Sequence, residues 1–244
     1  MPIATIRRMD ITPRIPQLAA SREQVLNLMG ASSTVACFGS RALLSLFVCA
    51  APEPASLVGA VTTEAEALDL IARHQPGFLF VTEQLEAGSG LGLVKQAHGL
   101  CPDLRTLLIL QSETPALLRQ ALELGCNGVV VESQLAQGTM LDAIRAVAGG
   151  GIYADQLGVE ALRATSRGEG PPPQEALSQR EEEVLQLVTR GYTNKEMAEA
   201  LFVSAETIKT HVTNILGKLQ ARDRTHAAVI GIRLGLVSWE PSGG

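Results

Sequence analysis

Residues 204–219 read Ser-Ala-Glu-Thr-Ile-Lys-Thr-His-Val-Thr-Asn-Ile-Leu-Gly-Lys-Leu and hold the side chains with the most to offer chemically. At 3.6 residues per turn, Ile208, Val212, Ile215, Leu216 and Leu219 share one face. Glu206, Thr210, Thr213, Asn214 and Gly217 share the opposite one, flanked by Lys209, His211 and Lys218. One side is apolar enough to pack on a domain. The other is small, polar and mildly basic, which suits entry into a DNA major groove and hydrogen bonding to base edges and phosphates.

Two shorter helices must position this one. Ser178 with Glu181, and Thr193 with Glu196, each fit a capping box. Ser204 can cap the third helix, with Glu206 favoured in its first turn. Gly191 stands where the first helix must stop, because a left-handed residue past a helix end is easiest for glycine. Val184, Leu187, Val188, Met197, Ala198 and Leu201 supply the apolar faces of the first two helices. The link Phe202-Val203 fits a helix-turn-helix. A fourth stretch, about 225–236, is apolar nearly all round, with Ala227, Ala228, Val229, Ile230, Ile232, Leu234 and Leu236. Such a helix requires burial on more than one side.

Residues 174–238 thus resemble the C-terminal DNA-binding domain of the LuxR/NarL/FixJ family of bacterial transcription regulators. The resemblance implies four helices, the third being the recognition helix and the fourth mediating dimerisation, here through Ala227, Ala228, Ile230 and Leu234. Matched positions assign Lys209, Thr210 and Thr213 to base edges and nearby phosphates. They assign Thr193, Asn194 and Lys195 to phosphate oxygens at the opening of the second helix, and Lys218 to a further phosphate. Many family members carry Arg or Lys where this chain has Gly217, a departure that removes one possible contact. The segment is not basic overall: residues 174–244 hold eight Lys/Arg against nine Asp/Glu. Its DNA-facing potential must come from local clustering and helix N-termini.

The preceding half alternates short apolar runs with helical patterns. Strands are expected at 25–29, 56–61, 78–82, 106–110 and 128–131, and helices at 36–48, 64–74, 90–99, 114–124 and 137–148. Five strands alternating with five helices imply a parallel sheet covered on both faces. Residues 23–155 resemble the receiver domain of response regulators, a flavodoxin-like α/β fold. A working receiver of that family needs paired acids after the first strand, an Asp after the third, Ser or Thr after the fourth and Lys after the fifth. Here those positions align with Ala31 and Ser32, Thr82, Gln111 and Glu132, with Glu83 one residue beyond Thr82. A threonine hydroxyl cannot form an acyl phosphate, and no hard-oxygen cage for Mg²⁺ is left. Glu132 reverses the charge that would neutralise a transferred phosphate. The resemblance therefore implies a pseudo-receiver, with the fold kept and the phosphoryl chemistry lost.

The whole chain has 244 residues, 46% apolar, with a net charge of −5. That is enough for two domains and argues against nonspecific coating of nucleic acid. The expected organisation is an arm (1–22), the receiver-like domain (23–155), a Gly- and Pro-rich linker (156–173), the helix-turn-helix domain (174–238) and a tail (239–244). Met1-Pro-Ile leads into Asp10 and Pro13 rather than an apolar run, so no secretory leader is expected. The stretch 35–51 carries Arg41 and is short for a membrane span. A cytoplasmic protein follows.

Cys37, Cys49, Cys101 and Cys126 form no Cys-x-x-Cys pair and fit buried small hydrophobes. His74, His98, His211 and His226 show no ligand spacing, so neither metal nor cofactor is expected. Gly88-Ser-Gly-Leu-Gly is no dinucleotide fingerprint, and Gly149-Gly-Gly is expected only to end a helix. The favoured function is a homodimeric DNA-binding regulator that is not an enzyme, with RNA polymerase or a regulatory protein as further partner. The competing reading is an adaptor or ligand sensor with its helix-turn-helix masked or reused.

Overall fold

A computed structural model describes residues 24–25, 28–29, 32–50, 56–112, 114–137, 139–154 and 175–238. The expected arm, linker and tail lie outside the described residues, as does Ala31.

Five strands form one parallel sheet: β1 (Thr34–Cys37), β2 (Leu57–Val61), β3 (Phe78–Thr82), β4 (Arg105–Leu110) and β5 (Gly128–Val131). They lie in the order β2-β1-β3-β4-β5. The helices between and after them are α1 (Arg41–Ala50), α2 (Glu64–His74), α3 (Gly90–Leu100), α4 (Pro115–Glu123) and α5 (Thr139–Ala148). A 3₁₀ turn, Glu132–Gln137, follows β5. Side chains alternate across the sheet as the pleat requires. Phe78 and Phe80 join Ala36, Leu107, Ile109 and Val130 beneath α1 and α5. Leu79 and Val81 join Val35, Leu108, Leu110 and Val129 beneath α2, α3 and α4. The central strands are buried on both faces, which is why they read as unbroken apolar runs.

One strand is displaced from its expected place. β1 is Thr34–Cys37, whereas residues 24–25 and 28–29 are helical. Val25, Leu28 and Met29 pack on the Phe38–Phe80 cluster, and their i, i+3, i+4 spacing is helical. The following helix begins at Arg41 rather than 36, because Val35 and Ala36 belong to the sheet.

Two glycine stretches gain a reason. Gly90 passes so close over the carbonyl of Thr82 that no Cβ fits, and Ser89 caps α3 by accepting from the Gly92 N–H at 3.0 Å. The Gly-rich loop is thus a packing device. Cys37, Cys101 and Cys126 are buried, and burial pushes the Cys37 and Cys126 thiols up to about 12. Cys49 departs from expectation. It sits on the outer side of α1 and is exposed.

Residues 175–238 form four helices: α6 (Gln179–Thr189), α7 (Asn194–Leu201), α8 (Ala205–Leu219) and α9 (Arg224–Arg233). Val184, Leu185, Val188, Met197, Ile208, Ile215, Ala228 and Ile232 close their shared core. This helical unit sits on the foot of the sheet, at the amino ends of β4 and β5. Gly149 and Gly151 meet the backbone of Gly191 with no room for a Cβ, so the Gly149-Gly-Gly triplet does more than end a helix. Asn127 Nδ2 donates to Thr225 Oγ1 at 2.8 Å. The Arg222 guanidinium covers the bare Cα of Gly125 beside His98, and α4 packs against α9.

Candidate nucleic-acid interface

Both capping boxes form. Ser178 accepts from the Glu181 N–H and Thr193 from the Glu196 N–H, and each glutamate returns a carboxylate to the cap N–H. These caps fix where α6 and α7 begin. Arg180 donates to the Leu201 carbonyl at 2.7 Å and closes the far end of α7. Phe202 then turns the chain with φ of +55°, and Ser204 caps α8 by accepting from the Thr207 N–H at 3.0 Å.

α8 presents the two flanks its periodicity dictates. Ile208, Ile215 and Leu219 are buried, with Val212 and Leu216 half-buried beside them. Glu206, Lys209, Thr210, Thr213, Asn214 and Gly217 are exposed. The Thr210 hydroxyl donates to the Glu206 carbonyl at 3.1 Å and the Thr213 hydroxyl to the Lys209 carbonyl at 3.0 Å. With its proton so engaged, each oxygen faces outward as an acceptor, fit for the amino edge of adenine or cytosine. Lys209 pairs with Glu206 at 3.2 Å, both well exposed. Such a pair is weak, so the ammonium can be redirected at little cost. A shallow concavity lined by Ser204, Glu206, Thr207, Thr210, His211 and Asn214 continues this surface.

Thr193, Asn194 and Lys195 sit together at the opening of α7, with Thr193 and Asn194 half-buried and Lys195 exposed. Thr193 Oγ1 is already an acceptor in its cap and retains its proton to offer a phosphate.

Two groups of expected contact residues are occupied within the chain itself. Lys218 is engaged within the chain. Its Nζ lies 2.8 Å from Glu181 Oε2 and 3.3 Å from the Ala176 carbonyl. Its place next to Leu219 on α8 swings the side chain inward, toward α6. Of the residues expected to dimerise, Ala227, Ala228 and Ile230 are buried within the chain, and only Leu234 is half-buried. Packing of α6 and α4 against α9 satisfies the all-round apolarity that suggested a free dimer face.

At the other end of the sheet the receiver-like positions come together in part. Thr82 ends β3. Its Oγ1 accepts from the Gly39 N–H at 3.0 Å, and its hydroxyl donates to the Gln84 carbonyl at 2.9 Å. Gln111 follows β4 and donates its N–H to Glu83 Oε2 at 3.1 Å. Glu132 follows β5. Ser32 does not belong there: it lies at the foot of the sheet, where its hydroxyl oxygen accepts from Arg105 at 3.2 Å. With β1 at Thr34–Cys37, the residues at the carboxyl edge are Phe38 and Gly39 instead. Neither carries a carboxylate. At the rim, Arg41 and Thr62 both donate to Glu86, and the Arg41 guanidinium holds that carboxyl below its usual range.

Sequence reasoning missed the Glu181–Lys218 pair, which joins positions far apart in the chain, and the Arg180 cap on α7. Among the described residues no cluster of His, Cys, Asp or Glu suits a metal ion, and no helix is long and apolar enough to cross a membrane.

Residues 175–230 match the family described as bacterial regulatory proteins, luxR family. The transcriptional regulatory protein LiaR of Bacillus subtilis (strain 168) is 31% identical over 197 residues, 80% of this chain and 92% of that protein. The DNA-binding transcriptional activator DevR/DosR of Mycobacterium tuberculosis (strain ATCC 25618 / H37Rv) is 30% identical over 180 residues, 73% of this chain and 82% of that protein. Against the solved complex of the two-component response regulator RcsB with DNA, the TM-score is 0.48 at 18% identity, over 83% of this chain and 98% of that one.

Proposed function

The chain belongs to the LuxR-type family of transcriptional regulatory proteins, and on that footing we propose that α8 is its recognition helix, reading the major groove. The observation that carries this reading is the exposed polar flank of α8, which neither α6 nor the sheet unit covers. Lys209, Thr210 and Thr213 face base edges and adjoining phosphates, and Thr193, Asn194 and Lys195 hold the backbone nearby. The protein acts in the cytoplasm, on double-stranded DNA.

Binding occurs as a homodimer on two half-sites. The packing of α4 on α9 fits a sequence of events in which α9 leaves α4 before two copies pair. RNA polymerase or a regulatory protein is the further partner. The sheet unit is a pseudo-receiver. Phe38, Gly39, Thr82, Gln111 and Glu132 supply neither the acid pair, the acceptor carboxylate nor the lysine of phosphoryl transfer. Its input is therefore a bound protein or ligand, or the amount of protein made.

The test is full-length protein titrated against DNA from upstream of its own gene, at salt from 50 to 200 mM. Counterion release predicts a linear fall of log affinity with log salt. Binding that is absent, or flat with salt, contradicts the reading.

A further inference from the structure

We infer that Lys218 and Glu181 form a buried strut that sets the angle of α8 on α6, so that both are positioning residues for DNA recognition and neither touches DNA. The inference rests on α8 being the DNA-facing helix.

Glu181 is 4% exposed, and a single oxygen of it, Oε2, collects three donors. They are Ser178 N at 2.7 Å, Ser178 Oγ at 2.9 Å and Lys218 Nζ at 2.8 Å. Burial alone would push this carboxyl up; the donors together hold it below the ordinary carboxylate range. Removing the lysine strands a buried carboxylate, a costly state. Lys218 makes a second bond, to the carbonyl of Ala176 at 3.3 Å. One ammonium thus ties together the chain entering the helical unit, the first turn of α6 and the last turn of α8.

Apart from this pair, α6 and α8 contribute apolar side chains to one shared core, Val184, Leu185 and Val188 from α6 and Ile208, Ile215 and Leu219 from α8. Apolar burial is non-directional and tolerates small rolls and slides. A charge-assisted hydrogen bond at 2.8 Å does not. Lys209 lies nine residues from Lys218, about 13 Å along a helix, so a tilt of about 10° displaces it by about 2 Å. That exceeds the tolerance of a hydrogen bond to a base edge.

Charge and position make opposite predictions, which gives the test its power. Glu181→Gln removes a negative charge from a DNA-binding unit, so a through-space effect would strengthen binding. A lost strut weakens it. Full-length wild type, Glu181→Gln, Lys218→Met, Lys218→Arg and the Glu181→Gln/Lys218→Met double variant are titrated with operator DNA across a salt series, with thermal melts alongside. The strut predicts that Glu181→Gln and Lys218→Met each weaken binding roughly tenfold, within the usual span of coupling between sites. The salt slope stays at the wild-type value, Lys218→Arg binds like wild type, and the double variant is no worse than the weaker single one. If Lys218→Met lowers the slope by about one and Glu181→Gln binds as well as wild type or better, Lys218 is a phosphate contact and the strut is refuted. Should Lys218→Met fail to melt cooperatively, Glu181→Gln and Lys218→Arg decide by the same criteria. Absence of salt-dependent binding by wild type overturns the DNA reading itself, a result separate from all of these.

Discussion

The side-chain amide of Asn127 donates to the hydroxyl of Thr225 at 2.8 Å, joining the foot of β5 to the first turn of α9. The other end of the same amide accepts from the N–H of Thr106 at 2.7 Å, so it is held rigidly by the sheet. The bond lies in the seam that keeps α9 covered. Thr225→Val keeps the shape and removes the acceptor, leaving a buried amide unpaired at a cost of about 1 kcal/mol. The expected result is faster proteolysis between the two units and a larger dimer fraction in sedimentation. A variant as protected and as monomeric as wild type would show that the bond does not hold the seam.

Gly151 offers a stronger lever on the same seam. It lies against the backbone of Gly191, whose φ is +82°, with no room for a methyl group. Gly151→Ala forces the backbones apart, an overpacking cost of about 1–3 kcal/mol. Separate melting of the two units in calorimetry is the expected signature. A single unshifted transition would mean that the seam yields freely.

The seam also titrates. Burial first, and the Arg222 charge second, hold the His98 imidazole below its ordinary range, with Asp223 opposing; His226 is lowered by the same causes, with Arg233 adding to them. A lowered histidine favours its neutral form in the folded state. The stabilisation is therefore complete above the ordinary value of about 6.5 and is lost progressively as pH falls below it. Acidification from about pH 7.5 to 5.5 should loosen the seam, read as rising linker proteolysis. His98→Gln should flatten that dependence, and an unchanged profile in this variant would remove His98 from the account.

Gly217 faces open space on the exposed flank of α8. Gly217→Ala should stabilise the helical unit by about 1 kcal/mol, from helix propensity alone. Gly217→Arg should add a phosphate contact, seen as a salt slope steeper by about one. Equal slopes for the Ala and Arg variants would mean that this turn of α8 does not approach the duplex.

Acetyl phosphate with Mg²⁺ should give no stoichiometric phosphoprotein by intact mass. Thr82 is committed to Gly39 and Gln84, and Glu83 to the Gln111 amide. A single added phosphate on Thr82 or Glu83 would restore phosphoryl chemistry to the sheet unit.

Much of this architecture is written locally. Both capping boxes and the two-flanked α8 follow from residue spacing within a few positions, and so they were legible. So were β3 and β5, because parallel strands buried on both faces are unbroken apolar runs. β1 was not. Val35-Ala-Cys-Phe passes for the start of a helix, while Val25, Leu28 and Met29 mark the true helical turn. That error displaced the first-strand acid positions to Ala31 and Ser32. The ion pair of Lys218 was hidden for a different reason. Its partner Glu181 lies on another helix, and no local period reveals which of two flanking lysines faces inward. The docking of Gly149 and Gly151 on Gly191 is a contact between distant backbones that side-chain patterns do not encode.

Selection of bound duplexes from a randomised pool, by wild type and by Lys209→Ala/Thr213→Ala, tests the central claim most directly. The account predicts that wild type enriches a two-half-site sequence and that the double variant loses enrichment at particular base pairs while melting at the wild-type temperature. No enrichment by wild type, or the same enriched sequence from both proteins, would contradict the assignment of α8 as the reading helix.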